Sequence, residues 1–390
     1  MTTRMTKRKT ALVLSGGGGR GAFEAGAWKA LREKGIDFHM VTGTSVGAIN
    51  GTMAALDDYE TAEKMWLTLG TEDLFDIDPT DNLLPNSFDM SLKGLPLSQG
   101  IEFVKNIIKK GGATSSGILT LLKSEIDEEY FRNHALPFGI VVSEFPSLKG
   151  HYLWTEDIPQ GRFHDFVHAS ASCFPLSHKK EIDGKSYIDG GYNDNLPIAM
   201  TIQRGANDIY AIYLDAPGSL DKKNIKKARS EANLKIISTN HDLGSFLHFS
   251  PDVSIRNLKL GYRAGRRAIG AETGVDYSFE PGAFSKAMLP AVDAAAFVFG
   301  LDPLTVYSKS KVNEVLKPSI LTAQLNLTRN PIKNRSLTQL KNKIDGKVLA
   351  VYFAREYENK GNERIFTDKI IKKAFNKELH AAKYIKNLLI

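Results

Sequence analysis

One serine sits in a pattern that suits a catalytic nucleophile. Ser45 is the centre of the run Gly43-Thr44-Ser45-Val46-Gly47, which matches the G-x-S-x-G turn found in many hydrolases. Such a turn joins a strand to a helix so sharply that only small residues fit two positions before and two after the serine. The sequence predicts the strand over 40–42 and the helix over 48–56. Because a five-residue match is common by chance, a turn serine that caps the helix stays an alternative.

A glycine-rich loop precedes this serine. The run GGGGRG from residue 16 to 21 lies between a short apolar run and a predicted helix. Backbone N–H groups of a loop without side chains can converge at the positive end of a helix dipole, which makes an anion site. Gly16, Gly18 and Gly21 also match the G-x-G-x-x-G pattern of dinucleotide-binding loops. That alternative needs an acidic residue at the end of a second strand, whereas Asp37 precedes its strand.

A nucleophilic serine needs a base, and the sequence offers a candidate at a sharp turn. In the common triad order the base is a histidine late in the chain. None of the late histidines lies in a glycine-punctuated turn: His241, His248 and His380. Asp189-Gly190-Gly191 instead ends an apolar strand, and its glycines let the backbone turn directly after the carboxylate. By itself, such a sequence more often marks an ordinary turn.

Metal, disulfide and cofactor chemistry find little support in the sequence. His164 and His168 lie four residues apart on a predicted helix, but no third ligand and no HExxH pattern accompany them. The single cysteine, Cys173, excludes an internal disulfide and any site made of several cysteines. We therefore expect neither a metal nor a cofactor.

The glycine loop, the serine turn and the Asp-Gly-Gly sequence together resemble one family. In this order they are similar to the GGGxRG, GxSxG and DGG/A motifs of the patatin-like phospholipases. The surrounding residues also resemble those of bacterial members, with Asn195-Leu196-Pro197 following the aspartate. The resemblance covers about residues 10–215, and nothing beyond residue 216 is similar to a known pattern.

The resemblance implies a serine–aspartate pair that works without a histidine. Ser45 would attack an acyl carbonyl, and Asp189 would take its proton. Backbone N–H groups of the glycine loop would hold the oxyanion, with an arginine keeping the loop in shape: Gly17, Gly18, Gly19 and Arg20. The other glycines of the three motifs are Gly16, Gly21, Gly43, Gly47, Gly190 and Gly191.

On these grounds we expect a lipid acyl hydrolase. It would cleave acyl esters of phospholipid, lysophospholipid or neutral lipid through an acyl-serine intermediate. One alternative is a membrane-docking effector or binding protein in which hydrolysis is subordinate. A nucleotide-binding protein that uses the glycine loop is a less favoured alternative.

Alternating strands and helices over about 200 residues predict a three-layer α/β/α fold with a mainly parallel sheet. A helix is expected over 163–171, and a hairpin over 179–188 with its turn at Asp183-Gly184. Residues 78–96, which contain three prolines, fit either a mobile lid or an ordinary surface segment. The predicted organisation is a basic tail (1–9), a patatin-like domain (10–215) and a basic, mostly helical region (216–390).

The C-terminal region carries an excess of positive charge. Residues 1–215 hold 21 basic and 28 acidic side chains, whereas residues 216–390 hold 30 basic and 16 acidic. The sequence predicts a strand over 347–353 and a lysine-rich amphipathic helix over 366–390. The excess suggests peripheral contact with an anionic membrane, and the alternative is a solvated lysine-rich surface. Nucleic acid is not an expected partner, because no recognised binding motif accompanies the lysines.

The composition is that of an ordinary globular chain. Of its 390 residues 42% are hydrophobic and 24% charged, with a net charge of +7. No stretch reaches the ~18 apolar residues that would span a bilayer. The longest candidate, residues 287–301, is interrupted by Asp293. The first ten residues do not resemble a secretory signal, so we expect a cytoplasmic or peripheral membrane location, with specialised secretion as the alternative.

Overall fold

A computed structural model of the chain describes residues 8–75, 114–332, 343–357 and 368–389. Two compact units follow one another along the chain, Met1–Gly265 and Arg266–Ile390. The candidate lid, residues 78–96, lies outside the described residues, and so do residues 1–7 of the predicted tail.

A sheet of eight strands forms the centre of the first unit. Its strands are β1 (Thr10–Leu14), β2 (Met40–Gly43), β3 (Phe138–Phe145), β4 (Lys149–Trp154), β5 (Lys180–Ile182), β6 (Lys185–Asp189), β7 (Asp208–Ile212) and β8 (Asn233–Ile237). The neighbour order is β5-β6-β3-β2-β1-β7-β8, and β4 also pairs with β3. β1, β2, β3, β7 and β8 are parallel, whereas β4 and β6 run antiparallel to β3. The predicted, mainly parallel α/β sheet is therefore confirmed.

Helices cover both faces of this sheet. They are α1 (Ala22–Glu33), α2 (Val46–Ala55), α3 (Tyr59–Thr68), α4 (Thr71–Leu74), α5 (Ser116–Glu125), α6 (Glu128–His134), α7 (Phe163–Ser170), α8 (Ile198–Gln203), α9 (Lys222–Glu231) and α10 (Pro251–Ala268). On one face, Ala11 and Val13 of β1 share a core with Ile198 of α8. On the other face, Gly51 of α2 lies so close to Phe138 of β3 that a Cβ would stand 2.6 Å from the ring. Side chains alternate along each strand, which supplies apolar groups to both layers.

The sheet continues past residue 215, where the sequence predicts the first domain to end. β8 pairs with β7 in parallel, from Asn233 opposite Asp208 to Ile237 opposite Ile212. Between these strands, α9 buries Ala228 in the core of the sheet. The first unit therefore extends to Gly265, and its lysine-rich stretch after residue 217 is the crossover between two paired strands.

The second unit consists mainly of helices. They are α11 (Leu289–Phe299), α12 (Lys309–Arg329), α13 (Gly346–Glu356), α14 (Lys369–Ala374) and α15 (Asn376–Ile385). Two short strands, β9 (Ser278–Phe279) and β10 (Val306–Tyr307), pair in parallel. Aromatic and aliphatic side chains fill the core, among them Phe279, Phe353 and Phe375. The mostly helical character predicted for this part of the chain is confirmed.

The strand predicted over 347–353 is wrong, because these residues lie in α13. Asp345 caps this helix by accepting a hydrogen bond from the N–H of Lys347 at 2.7 Å. Leu349, Ala350, Phe353 and Ala354 are all buried, and their spacing of three and four places them on one helical face. The β-branched and aromatic residues of this run therefore follow the helical packing of the core rather than their strand propensity.

The amphipathic helix predicted over 366–390 is divided in two. α14 ends at Ala374 and α15 begins at Asn376, with Phe375 between them at φ −128° and ψ 36°. Phe375 is fully buried, whereas Ile370 is 67% exposed. Burial of this one ring accompanies the break in the helix. None of the described helices is both long and apolar enough to cross a bilayer.

Two local predictions in the first unit are confirmed. The hairpin of β5 and β6 turns at Asp183 and Gly184, which both have a positive φ (48° and 79°). These left-handed conformations suit Asp and Gly and match the twist of the two strands. The helix expected over 163–171 is α7.

Candidate active site

The turn between β2 and α2 holds Ser45 in a strained conformation. Its φ of 58° and ψ of −127° are unusual for a residue with a side chain. A Cβ on Gly43 would lie 2.1 Å from the carbonyl oxygen of Gly47, and one on Gly47 would lie 2.6 Å from that of Leu14. Only glycine therefore allows this turn to close.

A buried serine behind the turn fixes the backbone of Ser45. Ser170, at the end of α7, accepts a hydrogen bond from the Ser45 N–H at 3.0 Å. Its hydroxyl in turn donates to the carbonyl of Val141 at 2.7 Å. The strained residue is thus tied to β3 through one side chain.

β3 brings the ends of β2 and β6 towards each other. β4 pairs with residues 139–144 of β3 and so occupies one of its edges. The other edge is shared, because β2 pairs with residues 138–140 and β6 with residues 142–145. β2 runs parallel and β6 antiparallel to β3, so both strands end at the gap between their pairing regions. Ser45 follows the end of β2 and Asp189 ends β6, which places the two residues together.

Asp189 is buried and accepts a hydrogen bond from the N–H of Gly191 at 2.7 Å. Its own backbone N–H donates to the carbonyl of Ser172 at 2.8 Å. Burial raises the pKa of Asp189 to about 6, although the side chain of Ser45 and the N–H of Gly191 oppose that shift.

The glycine loop follows β1 and contains two N–H groups without a partner among the described residues, those of Gly17 and Gly18. The Gly19 N–H donates to the carbonyl of Phe246 at 2.9 Å. Of the three N–H groups that the sequence predicts as oxyanion donors, that of Gly19 is therefore already occupied by a protein acceptor. Gly18 has a φ of +52°, and a Cβ there would lie 1.9 Å from the Phe246 oxygen.

Arg20 fastens the glycine loop to two later segments. Its Nε donates to the carbonyl of Gly244, and its Nη1 donates to that of Asp215, both at 2.8 Å. These contacts suit a residue that holds the loop in shape. The remaining motif glycines all lie where a Cβ would approach a neighbouring atom to 2.2, 2.6, 2.1 and 2.9 Å: Gly16, Gly21, Gly190 and Gly191.

Residues 12–202 match the family model of the patatin-like phospholipases. This part of the chain belongs to that family. Lysophospholipase nte1 of Aspergillus terreus is 28% identical over 226 residues, and that of Emericella nidulans is 29% identical over 226 residues. Each alignment covers 57% of this chain but only 13% of the relative. The chain therefore spans a small part of the length of these curated relatives.

A solved structure, VipD from Legionella pneumophila, also resembles this chain. Its sequence identity is 15% and its TM-score 0.37, over 97% of this chain and 90% of that one. At this TM-score the likeness adds nothing about function.

An apolar pocket of about 220 Å³ opens beside Ser45 and Asp189, lined both by the patatin-like phospholipase domain and by residues that follow it. Its walls come from α2, α4, α5, the glycine loop and the segments after β7 and β8. Phe249 lies nearly parallel to the ring of Trp66, with centroids 6.1 Å apart. Phe246, Leu247 and Phe249 lie outside the predicted domain, and no motif in the sequence pointed to them.

Cys173 also lines this pocket. Burial raises the pKa of its thiol to about 12, with the nearby Asp189 carboxylate as a smaller cause. A neutral thiol is a weak nucleophile. Cys173 is therefore a poor candidate for a nucleophile in this pocket.

The two histidines on α7 contact protein atoms rather than each other. His164 Nε2 lies 2.8 Å from the carbonyl of Ile126, and His168 Nε2 lies 2.8 Å from the hydroxyl of Ser115. Burial lowers the pKa of His168 to about 4, so its ring is neutral at pH 7. No group of three potential metal ligands occurs in the described part of the chain.

Proposed function

We propose that this protein is a lipid acyl hydrolase with Ser45 as nucleophile and Asp189 as general base. The observation that carries this proposal is that Ser45 and the buried Asp189 line the same apolar pocket, at the meeting point of β2 and β6. Gly17 and Gly18 line this pocket too. A nucleophile, a base and backbone donors at one pocket are the parts that acyl transfer needs.

The reaction proceeds in two steps. Ser45 Oγ attacks the ester carbonyl carbon while its proton passes to Asp189, and a tetrahedral oxyanion forms. When the ester C–O bond breaks, the proton moves from Asp189 to the leaving alcohol, which leaves an acyl-serine. Water then attacks the acyl-serine with Asp189 again as base, and the fatty acid departs as Ser45 regains its proton.

The environment of Asp189 suits this role. An aspartate with the ordinary pKa of about 3.9 is a weak base towards a hydroxyl. Burial raises the pKa of Asp189 to about 6, which strengthens the base but leaves it mostly ionised at pH 7. The N–H of Gly191 holds one carboxylate oxygen, so the carboxylate keeps its orientation.

The oxyanion is held by the N–H groups of Gly17 and Gly18. Both precede α1, whose dipole adds positive potential at this end. Loss of one such donor in other enzymes costs on the order of 100- to 1000-fold in kcat. Arg20 and the carbonyl of Phe246 keep these groups in place and stay outside the reaction.

The substrate is an ester with a long acyl chain, in the class of phospholipids and lysophospholipids. The walls of the pocket favour an acyl chain, because most side chains that line it are apolar. The relatives from Aspergillus terreus and Emericella nidulans are both described as lysophospholipases. A monoacyl phospholipid is therefore the first substrate to assay.

The basic residues of the C-terminal region bind the anionic surface that presents this substrate. Lys369, Lys372 and Lys373 of α14 are exposed, and so is the apolar side chain of Ile370. Cationic side chains beside an exposed apolar one suit the headgroup region of an anionic membrane.

The proposed roles of Ser45 and Asp189 are tested with the variants Ser45→Ala and Asp189→Asn, assayed with lysophosphatidylcholine and p-nitrophenyl butyrate. Each variant should lose at least 1000-fold in kcat. Asp194→Asn is the matched control, because burial also raises the pKa of Asp194 to about 6 while its carboxylate accepts from Leu196. This control should retain activity. Turnover near the wild-type rate in either test variant would contradict the proposal.

Covalent labelling gives an independent test. A fluorophosphonate should add once to the wild-type protein, with the adduct mapped to Ser45 by peptide mass spectrometry. Labelling of the Ser45→Ala protein at another serine would show that the nucleophile lies elsewhere.

A further inference from the structure

A carboxyl group that the proposed reaction does not use lies fully buried behind the glycine loop. Glu24, on the first turn of α1, accepts a hydrogen bond from the N–H of Ser15 at 2.7 Å. It accepts another from Nδ2 of Asn50 at 2.9 Å. Burial raises the pKa of Glu24 well above the ordinary range. Burial of a carboxyl group reduces the stability of the fold unless hydrogen bonds compensate, and Glu24 has such bonds to Ser15 and Asn50.

Asn50 has its orientation set by two further partners. Its Oδ1 accepts from Trp66 Nε1 at 2.9 Å, and its Nδ2 donates to the carbonyl of Gly21 at 3.0 Å. The indole nitrogen can only donate and the carbonyl can only accept, so the amide cannot be reversed. The Nδ2 group of Asn50 must therefore face Glu24.

This network holds both ends of the glycine loop. Ser15 is the residue before the loop and Gly21 is its last residue, while Asn50 belongs to α2, the helix that begins after Ser45. Four consecutive glycines give the loop no side chains between residues 16 and 19 with which to hold itself. The distance between the loop amides and the nucleophile therefore depends on residues outside the loop.

We propose that Glu24 is a positioning residue which, through Asn50, fixes the glycine loop relative to the helix that follows Ser45. This inference rests on the proposed function, because it assigns Glu24 a part in aligning the oxyanion donors with the nucleophile. Displacement of reacting groups by about 1 Å can cost on the order of 100-fold in rate. A positioning residue of this kind affects kcat more than KM, since the pocket walls that bind the acyl chain are unchanged.

The test is a double-mutant cycle with Glu24→Gln, Asn50→Ala and the combined variant, assayed with p-nitrophenyl butyrate. Glu24→Gln replaces one acceptor oxygen by an NH₂ group that faces a donor. We expect each single variant to lower kcat about tenfold with KM within twofold, an intermediate effect for one positioning link. The combined variant should lose no more than the larger single loss, because both changes break the same connection.

The control for a loss of stability is a substitution of the same kind in the second unit. Asp293 is a buried carboxylate that accepts the N–H groups of Val275, Asp276 and Tyr277. Asp293→Asn should leave kcat unchanged, and rates are compared at equal folded fraction from thermal melts. If Glu24→Gln does not fold, Glu24→Asp takes its place in the cycle, because it keeps the carboxylate but shortens its reach to Asn50.

The inference is overturned if both single variants keep kcat within twofold of wild type, or if their losses multiply in the combined variant. Ser45→Ala separates this result from a failure of the proposed function. If wild-type turnover does not depend on Ser45, the proposed function fails. If it depends on Ser45 but not on Glu24 or Asn50, only the positioning role fails.

Discussion

The two units differ in where their backbone is strained. Both bury carboxyl groups, among them Glu24 and Asp189 in the first unit and Asp293 in the second. Among the described residues, those with a side chain and a positive φ, Ser45 among them, all lie in the first unit. Backbone strain is thus found in the unit where the proposed chemistry takes place. The second unit owes its fold to regular burial of apolar helix faces.

The largest effect that this difference predicts concerns glycine. Gly43→Ala puts a Cβ 2.1 Å from the carbonyl oxygen of Gly47, so the turn that presents Ser45 must change. We expect kcat on p-nitrophenyl butyrate to fall by more than about 100-fold. Gly300, after α11, has a φ of +72° and open space where a Cβ would stand. Gly300→Ala should cost only about 1 kcal/mol in the free energy of unfolding, with normal kcat.

Circular dichroism melts measure the stability of both variants, and steady-state kinetics measure their kcat. If Gly43→Ala keeps its activity, the turn tolerates a side chain and the first unit is less constrained than its geometry indicates. If Gly300→Ala abolishes activity, the comparison between the units fails.

The next largest predicted effect is the pH dependence of kcat/KM. Burial raises the pKa of Asp189 to about 6, and the base must be ionised to accept a proton. We therefore expect kcat/KM to fall about tenfold per pH unit below pH 6 and to be level above it. Asp194→Asn and Asp293→Asn should leave this acid limb in place. A limb centred near pH 4 would show that the base is an ordinary exposed carboxylate.

The carboxyl group of Asp189 should also make the free energy of unfolding depend on pH. That free energy should fall as the pH rises, whereas the activity should increase. The folded pKa of Asp189, about 6, exceeds the unfolded value of about 3.9, so the stability it contributes is present below pH 4 and lost as pH rises through 6. Relative to wild type, Asp189→Asn should therefore gain roughly 2–3 kcal/mol between pH 4 and pH 8. Urea unfolding at several pH values measures the gain. An equal gain in Asp293→Asn would remove the distinction between the two carboxyls.

The sequence was informative where function requires particular residues at strand ends. Ser45 follows β2 and Asp189 ends β6, and these strands meet at one edge of β3, so local motifs were enough to place the two residues at neighbouring strand ends. The hairpin at Asp183-Gly184 was predictable for a similar reason, because left-handed turns select those residues.

Contacts between distant residues could not be predicted in this way. The Gly19 N–H donates a hydrogen bond to the carbonyl of Phe246, and no local sequence pattern links these two residues. The pairing of β7 with β8, which extends the first unit past residue 215, also depends on the whole sheet. At residues 347–353, a run of strand-forming residues became a helix because the core of the second unit accepts one helical face.

The smallest predicted effect is a difference in membrane binding between a lysine of the second unit and a lysine of the first. Lys373 of α14 and Lys226 of α9 are both exposed, and replacing either by alanine removes one positive charge. If the C-terminal region contacts the membrane, Lys373→Ala should weaken binding to vesicles with 30% phosphatidylserine about fivefold, since a lysine near such a surface contributes about 1 kcal/mol. Lys226→Ala should have little effect. Because the attraction is electrostatic, the difference should disappear in 0.5 M salt. Equal losses in both variants would mean that the overall charge, rather than the second unit, brings the protein to the membrane.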